Sequence, residues 1–144
     1  MIYTDLTVKA MRIAYNAHHG QLDRSGVPYI FHPYHVAEQM DDEYTVCIAL
    51  LHDVVEDTSM TIEELEKEFP PEVTEAVRLL TRDRDTDYLE YVRGIRSSQL
   101  AVKVKLADLA HNSDFSRLAC ESPEEVERLR RKYSTAKLIL TSDE

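Results

Sequence analysis

The chain has 144 residues, with 27 acidic against 17 basic side chains and a formal charge of −10. That length fits one domain, residues 1–144, with enough chain for one core and not for two. The acidic balance excludes non-specific nucleic-acid binding, which needs Lys and Arg clustered against phosphates. The three glycines, at 20, 26 and 94, form no phosphate-cradling loop or dinucleotide fingerprint. Any anionic ligand must therefore be met by local cations, a metal ion among them. Cys47 and Cys120 are too few for a disulfide framework or a zinc motif. The N-terminus lacks the basic start and apolar stretch of a signal peptide, and no apolar run reaches the ~18 residues of a membrane span. The expected setting is cytoplasmic, with no membrane partner.

The pattern predicts an all-α chain. Residues 5–18 carry Leu6, Met11, Ile13, Ala14 and Ala17 at three- and four-residue spacing, which predicts an amphipathic helix ending towards Gly20. Residues 19–31, with Gly20, Ser25-Gly26 and Pro28, read as a loop. A helix should follow Pro33 to about Met40. Residues 44–56 form the most apolar helix, suited to a central position. Thr61 and Glu64 match a capping box opening a helix to about Phe69. Pro71 fits the first turn of the next helix, to about Thr81. A charged loop at 82–87 precedes helices at about 87–97 and 99–112. Residues 100–106 alternate like a strand, but 106–111 continue the segment without a turn signal, so it reads as helix. Ser122, Pro123 and Glu125 form a start signal for a last helix to about Leu140, after which 141–144 should fray.

The chemistry concentrates in three places. His52-Asp53 lies at the end of the apolar helix, and a charged Asp there is costly unless it is paired or coordinates a cation. Glu56 and Asp57 follow one turn on, so one imidazole and three carboxyls share a helix end. Asp108 lies in a second apolar stretch, with Asn112 on its face. Pro33 can fix the direction of His32. His32, His52, Asp53 and Asp108 would make a two-His, two-carboxylate site for one divalent ion such as Mn, Fe, Zn or Mg. Ligands from three segments would leave positions open for water and substrate. A lone His in an apolar helix is more often a core residue, and the adjacent acids reverse that reading for His52. His18, His19, His35 and His111 read as surface residues or as support for the site. Tyr29, Tyr34, Tyr88 and Tyr91 read as amphipathic packing.

The order His32, His52-Asp53, Asp108 resembles the H…HD…D signature of the HD-domain metal-dependent phosphohydrolases. Residues 17–33 (AHHGQLDRSGVPYIFHP), the stretch Ala49–Thr58 with its HDxxED pattern, and Val104–Asn112 are similar to the hydrolase domain of the RelA/SpoT alarmone enzymes and their small single-domain relatives. This resemblance implies an HD-domain bundle of about seven to eight helices around one metal site. It implies one ion, usually manganese, at His32, His52, Asp53 and Asp108, with Glu56 and Asp57 positioning or activating water. It further implies substrate contacts from Arg24, Ser25, Lys105 and Asn112, with Arg82 and Lys103 as further phosphate candidates. The reaction it implies is hydrolysis of the 3′-pyrophosphate of (p)ppGpp. The family typically carries a basic residue where Asp23 stands, and Ser113-Asp114-Phe115 replaces a segment that tends to be basic. Two alternatives stay open: an HD hydrolase of another small phosphorylated metabolite, and a metal-containing nucleotide sensor without turnover. A homo-oligomer is compatible with either.

Overall fold

The computed structural model describes residues 1–143, and Glu144, part of the tail expected to fray, lies outside the described residues. Nine α-helices and one 3-10 turn make up the regular structure described, and the only β feature is a single bridge between Leu22 and Pro28. Helix α1 (Asp5–Ala17) opens on Thr4, whose hydroxyl accepts from Thr7 N. Helix α2 (Phe31–Glu38) begins two residues before Pro33, which occupies the first turn, where a missing N–H costs no helical hydrogen bond. His32 therefore stands on the helix, not before it.

The expected 44–56 helix divides in two. Helix α3 (Glu43–Leu51) stops at His52, and α4 (Val54–Asp57) restarts after Asp53. Asp53 sits at φ −107°, ψ −1°, the bridge region between helix and strand. In an unbroken helix, consecutive side chains point about 100° apart, so His52 and Asp53 could not face one centre. The turn brings both to it. Apolar patterning gave no sign of this break, because Val54 and Val55 continue the apolar run.

The remaining helices follow their start signals. Thr61 and Glu64 cap α5 (Ile62–Glu66) reciprocally, Pro71 opens α6 (Pro71–Leu80), and Asp87 caps α7 (Tyr88–Ile95). Helix α8 (Gln99–Asn112) confirms the helical reading of the alternating stretch. Helix α9 (Pro123–Thr141) starts on Ser122, which accepts from Glu125 N at 3.1 Å. Helix α3 is the hub: every residue from Thr45 to Leu51 is buried, and it packs against α1, α2, α6 and α8. Cys47 is one of these core residues, as its apolar surroundings predicted. No described helix is long and apolar enough to cross a membrane.

Candidate metal centre

Three helical segments deliver the four predicted ligands to one point. His32 comes from the first turn of α2, His52 and Asp53 from the α3–α4 turn, and Asp108 from α8. One potential donor atom from each lies within 4.8 Å of all the others. His32, His52 and Asp108 are buried, and Asp53 is partly buried.

The His52 imidazole is held in a tautomer that suits a cation. His52 Nδ1 donates to Ala49 O at 2.5 Å, which leaves an Nε2 lone pair facing the centre. That Nε2 is buried and has no well-aligned hydrogen bond, although Asp53 Oδ2 is 3.0 Å away and Asp108 Oδ1 3.4 Å. A lone pair facing two carboxylates needs positive charge, either a proton or a cation. Without a cation, burial alone would lower the His52 pKa, but the charge of Asp53 and the contacts with both carboxylates raise it well above the usual histidine value. Ligand bonds of about 2.1 Å put opposed donors about 4.2 Å apart, close to the observed spread. The residues present therefore fit a divalent ion.

Asp108 has the most hydrogen-bonding neighbours of the four candidate ligands. Its Oδ1 lies 2.8 Å from His32 Nε2, and the carboxylate accepts from Lys105 Nζ at 2.9 Å and Asn112 Nδ2 at 3.2 Å. Burial would raise its pKa, but the Lys105 ammonium and the two imidazoles hold the carboxyl well below the usual range. Lys105 and Asn112, expected as substrate contacts, are thus also the residues that orient this carboxylate. Behind His32, His111 Nδ1 lies 2.7 Å from His32 Nδ1, with the rings stacked at 5.0 Å. Burial and the Arg117 charge push His111 down to about 4.

Tyr29 is the clearest residue that sequence reasoning assigned to another role. It was read as packing, yet its hydroxyl donates to Asp53 Oδ2 at 2.5 Å. His18 packs tilted against Tyr29 at 5.0 Å between ring centres and bonds Gln21, and Gln21 donates to the carbonyl of Asp57 at 2.9 Å. The loop before α2 is thereby tied to α4. Tyr29→Phe removes a hydrogen bond that orients a candidate ligand, and should weaken divalent-cation binding by about 10- to 100-fold. Manganese titration followed by electron paramagnetic resonance measures this, and an unchanged affinity would show that the bond is dispensable.

Glu56 and Asp57 lie at the edge of the centre. Together with Tyr29, His32, Asp53 and Asp108, they line a cavity of about 380 Å³. Glu56 Oε1 accepts from Arg82 N at 2.6 Å. Burial raises the Glu56 pKa, and burial with the charges of Asp53 and Glu56 raises Asp57 to about 6. A second cleft, of about 270 Å³, shares Arg24, Tyr29, His32, Asn112 and Tyr133 with the first and adds Leu22, Leu118 and Leu129.

The expected cationic contacts separate. Arg24 lines both cavities but also pairs with Glu125 at 3.2 Å and Glu121 at 3.9 Å. Ser25 lines the less charged cleft, and its hydroxyl donates to the carbonyl of Arg117. Lys103 is turned away: it pairs with Asp41 on the surface and lines neither cavity. The two acids that stand where the family tends to be basic are both engaged. Asp23 accepts from Ser25 N and Val27 N, closing its turn, and lies 3.6 Å from the Arg117 guanidinium. Asp114 accepts from Ser116 at the start of the 3-10 turn Phe115–Leu118.

A helical bundle with two imidazoles and two carboxylates at one centre defines a class, and comparison with known proteins places the chain in it. The HD-domain family model matches residues 10–132, and the chain belongs to the HD-domain family. Among curated proteins it is 36% identical over 128 residues to a Brucella suis GTP pyrophosphokinase rsh, covering 78% of this chain and 17% of that protein. It is 37% identical over 124 residues to the bifunctional (p)ppGpp synthase/hydrolase SpoT of Escherichia coli, covering 73% of this chain and 18% of that protein. A Haemophilus influenzae guanosine-3′,5′-bis(diphosphate) 3′-pyrophosphohydrolase is 40% identical over 115 residues, 69% of this chain and 17% of that protein. The chain thus spans about a sixth of the length of these relatives. A solved structure of a metazoan ortholog of SpoT, described as hydrolysing ppGpp, matches with a TM-score of 0.85 at 25% identity, covering 99% of this chain and 89% of that one.

Proposed function

We propose that this single HD-type domain is a manganese-dependent phosphohydrolase that removes the 3′-pyrophosphate of (p)ppGpp. The observation that carries the reading is the junction of the four-donor cluster with Glu56 and Asp57 on one cavity wall. Sensing alone would not need spare carboxylates there. Two imidazoles and two carboxylates suit a borderline-to-hard ion, and manganese is our choice among Mn, Fe, Zn and Mg. When bound, such an ion lowers the pKa of coordinated water and polarises a phosphoryl oxygen.

The chain's own residues supply the rest. Glu56 and Asp57 orient the attacking water, and one of them takes a proton as oxygen bonds to phosphorus. The bond between that phosphorus and the 3′-oxygen breaks, the 3′-oxygen receives the proton, and the products are GDP or GTP and pyrophosphate. Tyr29 holds Asp53, and Lys105 and Asn112 hold Asp108. The less charged cleft takes the base, with Arg24 and Ser25 at its rim and Leu22, Leu118 and Tyr133 as apolar walls.

Asp23 favours a second reading, an HD hydrolase of a different phosphorylated metabolite, since a base-facing cation is replaced by an acid. The Arg117 pairing offsets that charge, so the alarmone remains the substrate we favour. The test is product release with added manganese from ppGpp and from guanosine mono-, di- and triphosphates. Pyrophosphate from ppGpp alone is the expected result. Release only from another nucleotide would establish the second reading, and no release from any would leave the sensor.

A further inference from the structure

Two cations in the metal-site cavity are set apart from the other partly buried basic residues of this acidic chain. Lys9, Lys103, Lys105 and Arg117 are partly buried, and each meets a carboxylate. Arg82 and Lys132 are also partly buried, yet among the described residues neither has a carboxylate oxygen within 4.0 Å. Both line the cavity that holds Asp53, Glu56 and Asp108. Between them they share one aromatic ring: Lys132 Nζ lies 4.4 Å and the Arg82 guanidinium carbon 5.4 Å from the centre of Tyr88. Tyr88 lines the same cavity, and its hydroxyl is buried and has no hydrogen-bond partner.

These features point the same way. A buried phenol without a partner leaves a donor unused, which is unfavourable unless a ligand accepts from it. Arg82 uses its Nε on the Thr86 carbonyl at 3.1 Å, so its terminal nitrogens remain for a ligand. Lys132 is surrounded by like charge: burial first, then Arg128, Arg82, Lys105 and Arg24, hold its ammonium below the usual lysine range. An anion bound between Arg82 and Lys132 would relieve such crowding. Guanidinium, ammonium and phenol together are a donor set for phosphate oxygens.

We infer that Arg82, Tyr88 and Lys132 form a subsite for a second phosphoryl group beside the metal cluster, so that the cavity takes a pyrophosphoryl group and not a lone phosphate. This rests on the reading above that the reacting phosphate lies at the cluster, and it assigns the outer phosphate of the leaving group to residues from the 81–87 loop, α7 and α9. Of the three, only Arg82 was considered for such a role from the sequence.

The test is calorimetric titration of the manganese-loaded protein with inorganic pyrophosphate and, separately, inorganic phosphate. Wild type should bind pyrophosphate at least about tenfold more tightly. Lys132→Met and Arg82→Gln should each weaken pyrophosphate by about tenfold, the size of one lost charge-assisted hydrogen bond, and leave phosphate within about twofold. Thermal midpoints should stay level or rise, because repulsion is removed, whereas a structural role would lower them. Tyr88→Phe should weaken pyrophosphate in the same sense, and Lys132→Arg should retain it, which keeps the test intact if a methionine variant fails to fold. Equal loss of both anions, or unchanged pyrophosphate binding in all variants, overturns the subsite. Hydrolysis of ppGpp separates the two inferences. Pyrophosphate preference without alarmone turnover refutes the proposed activity and keeps the subsite, while turnover without that preference does the reverse.

Discussion

Alanine at His52 or at Asp53 is expected to remove both manganese and activity, with turnover falling by at least about 10³-fold, well beyond the 10- to 100-fold typical of a supporting residue. The two candidate ligands are neighbours in sequence but should fail for different reasons. His52→Ala removes a lone pair already aimed by the Ala49 carbonyl. It also leaves Asp53 and Asp108 facing each other without the imidazole that offsets their charges. Asp53→Ala removes the ligand that Tyr29 holds and one of the two carboxylates around His52. Both variants should still fold, since α3 remains packed through Thr45–Leu51 and alanine tolerates the backbone of the turn. Metal analysis of the purified variants, with circular dichroism as the control, measures the outcome. Stoichiometric manganese in both would sink the ligand assignment.

Glu56→Gln should separate binding from chemistry. Glutamine keeps a carbonyl oxygen where Glu56 Oε1 now accepts from Arg82 N, so the approach of the 81–87 loop to α4 survives. What is lost is a carboxylate able to take a proton from water. Turnover should fall by about 10²- to 10⁴-fold, the usual worth of general-base assistance, while manganese affinity stays within a few-fold. The surroundings already tune this edge for proton transfer, since neighbouring charge and burial bring Asp57 to about 6, near working pH. Full activity in Glu56→Gln would shift the base to Asp57, and lost metal would make Glu56 a ligand. Product assays on ppGpp alongside metal titration distinguish these results.

Much of this centre could be read from the chain because its polar residues interrupt apolar patterns. Asp53 and Asp108 each stand where a core side chain was expected, and burial without a partner would be too costly. Start signals such as Thr61-Glu64 and Ser122-Glu125 depend on neighbours three residues apart, so local sequence carries them. The α3–α4 break was not legible, because its cause is the convergence of ligands in space and the valines beyond it look like continued helix. Tyr29, Tyr88 and Lys132 were hidden for a related reason. Tyr29 reaches Asp53 across 24 positions, and Lys132 meets Tyr88 only because α9 returns to pack against α7. Asp23 shows the converse: its sequence position marks only a departure from a typically basic residue, whereas its hydrogen bonds to Ser25 and Val27 make it a turn former.

The gathering of donors from α2, the α3–α4 turn and α8 also makes the ion a reversible cross-link. It would join chain positions 32, 52–53 and 108, closing two long loops that an unfolded chain leaves open. Because the four donors meet only in the folded state, occupancy and folding are thermodynamically linked, by about 2.7 kcal/mol at a hundredfold excess of free ion over Kd. Cellular manganese supply would then govern how long the chain survives proteolysis as well as how fast it turns over substrate.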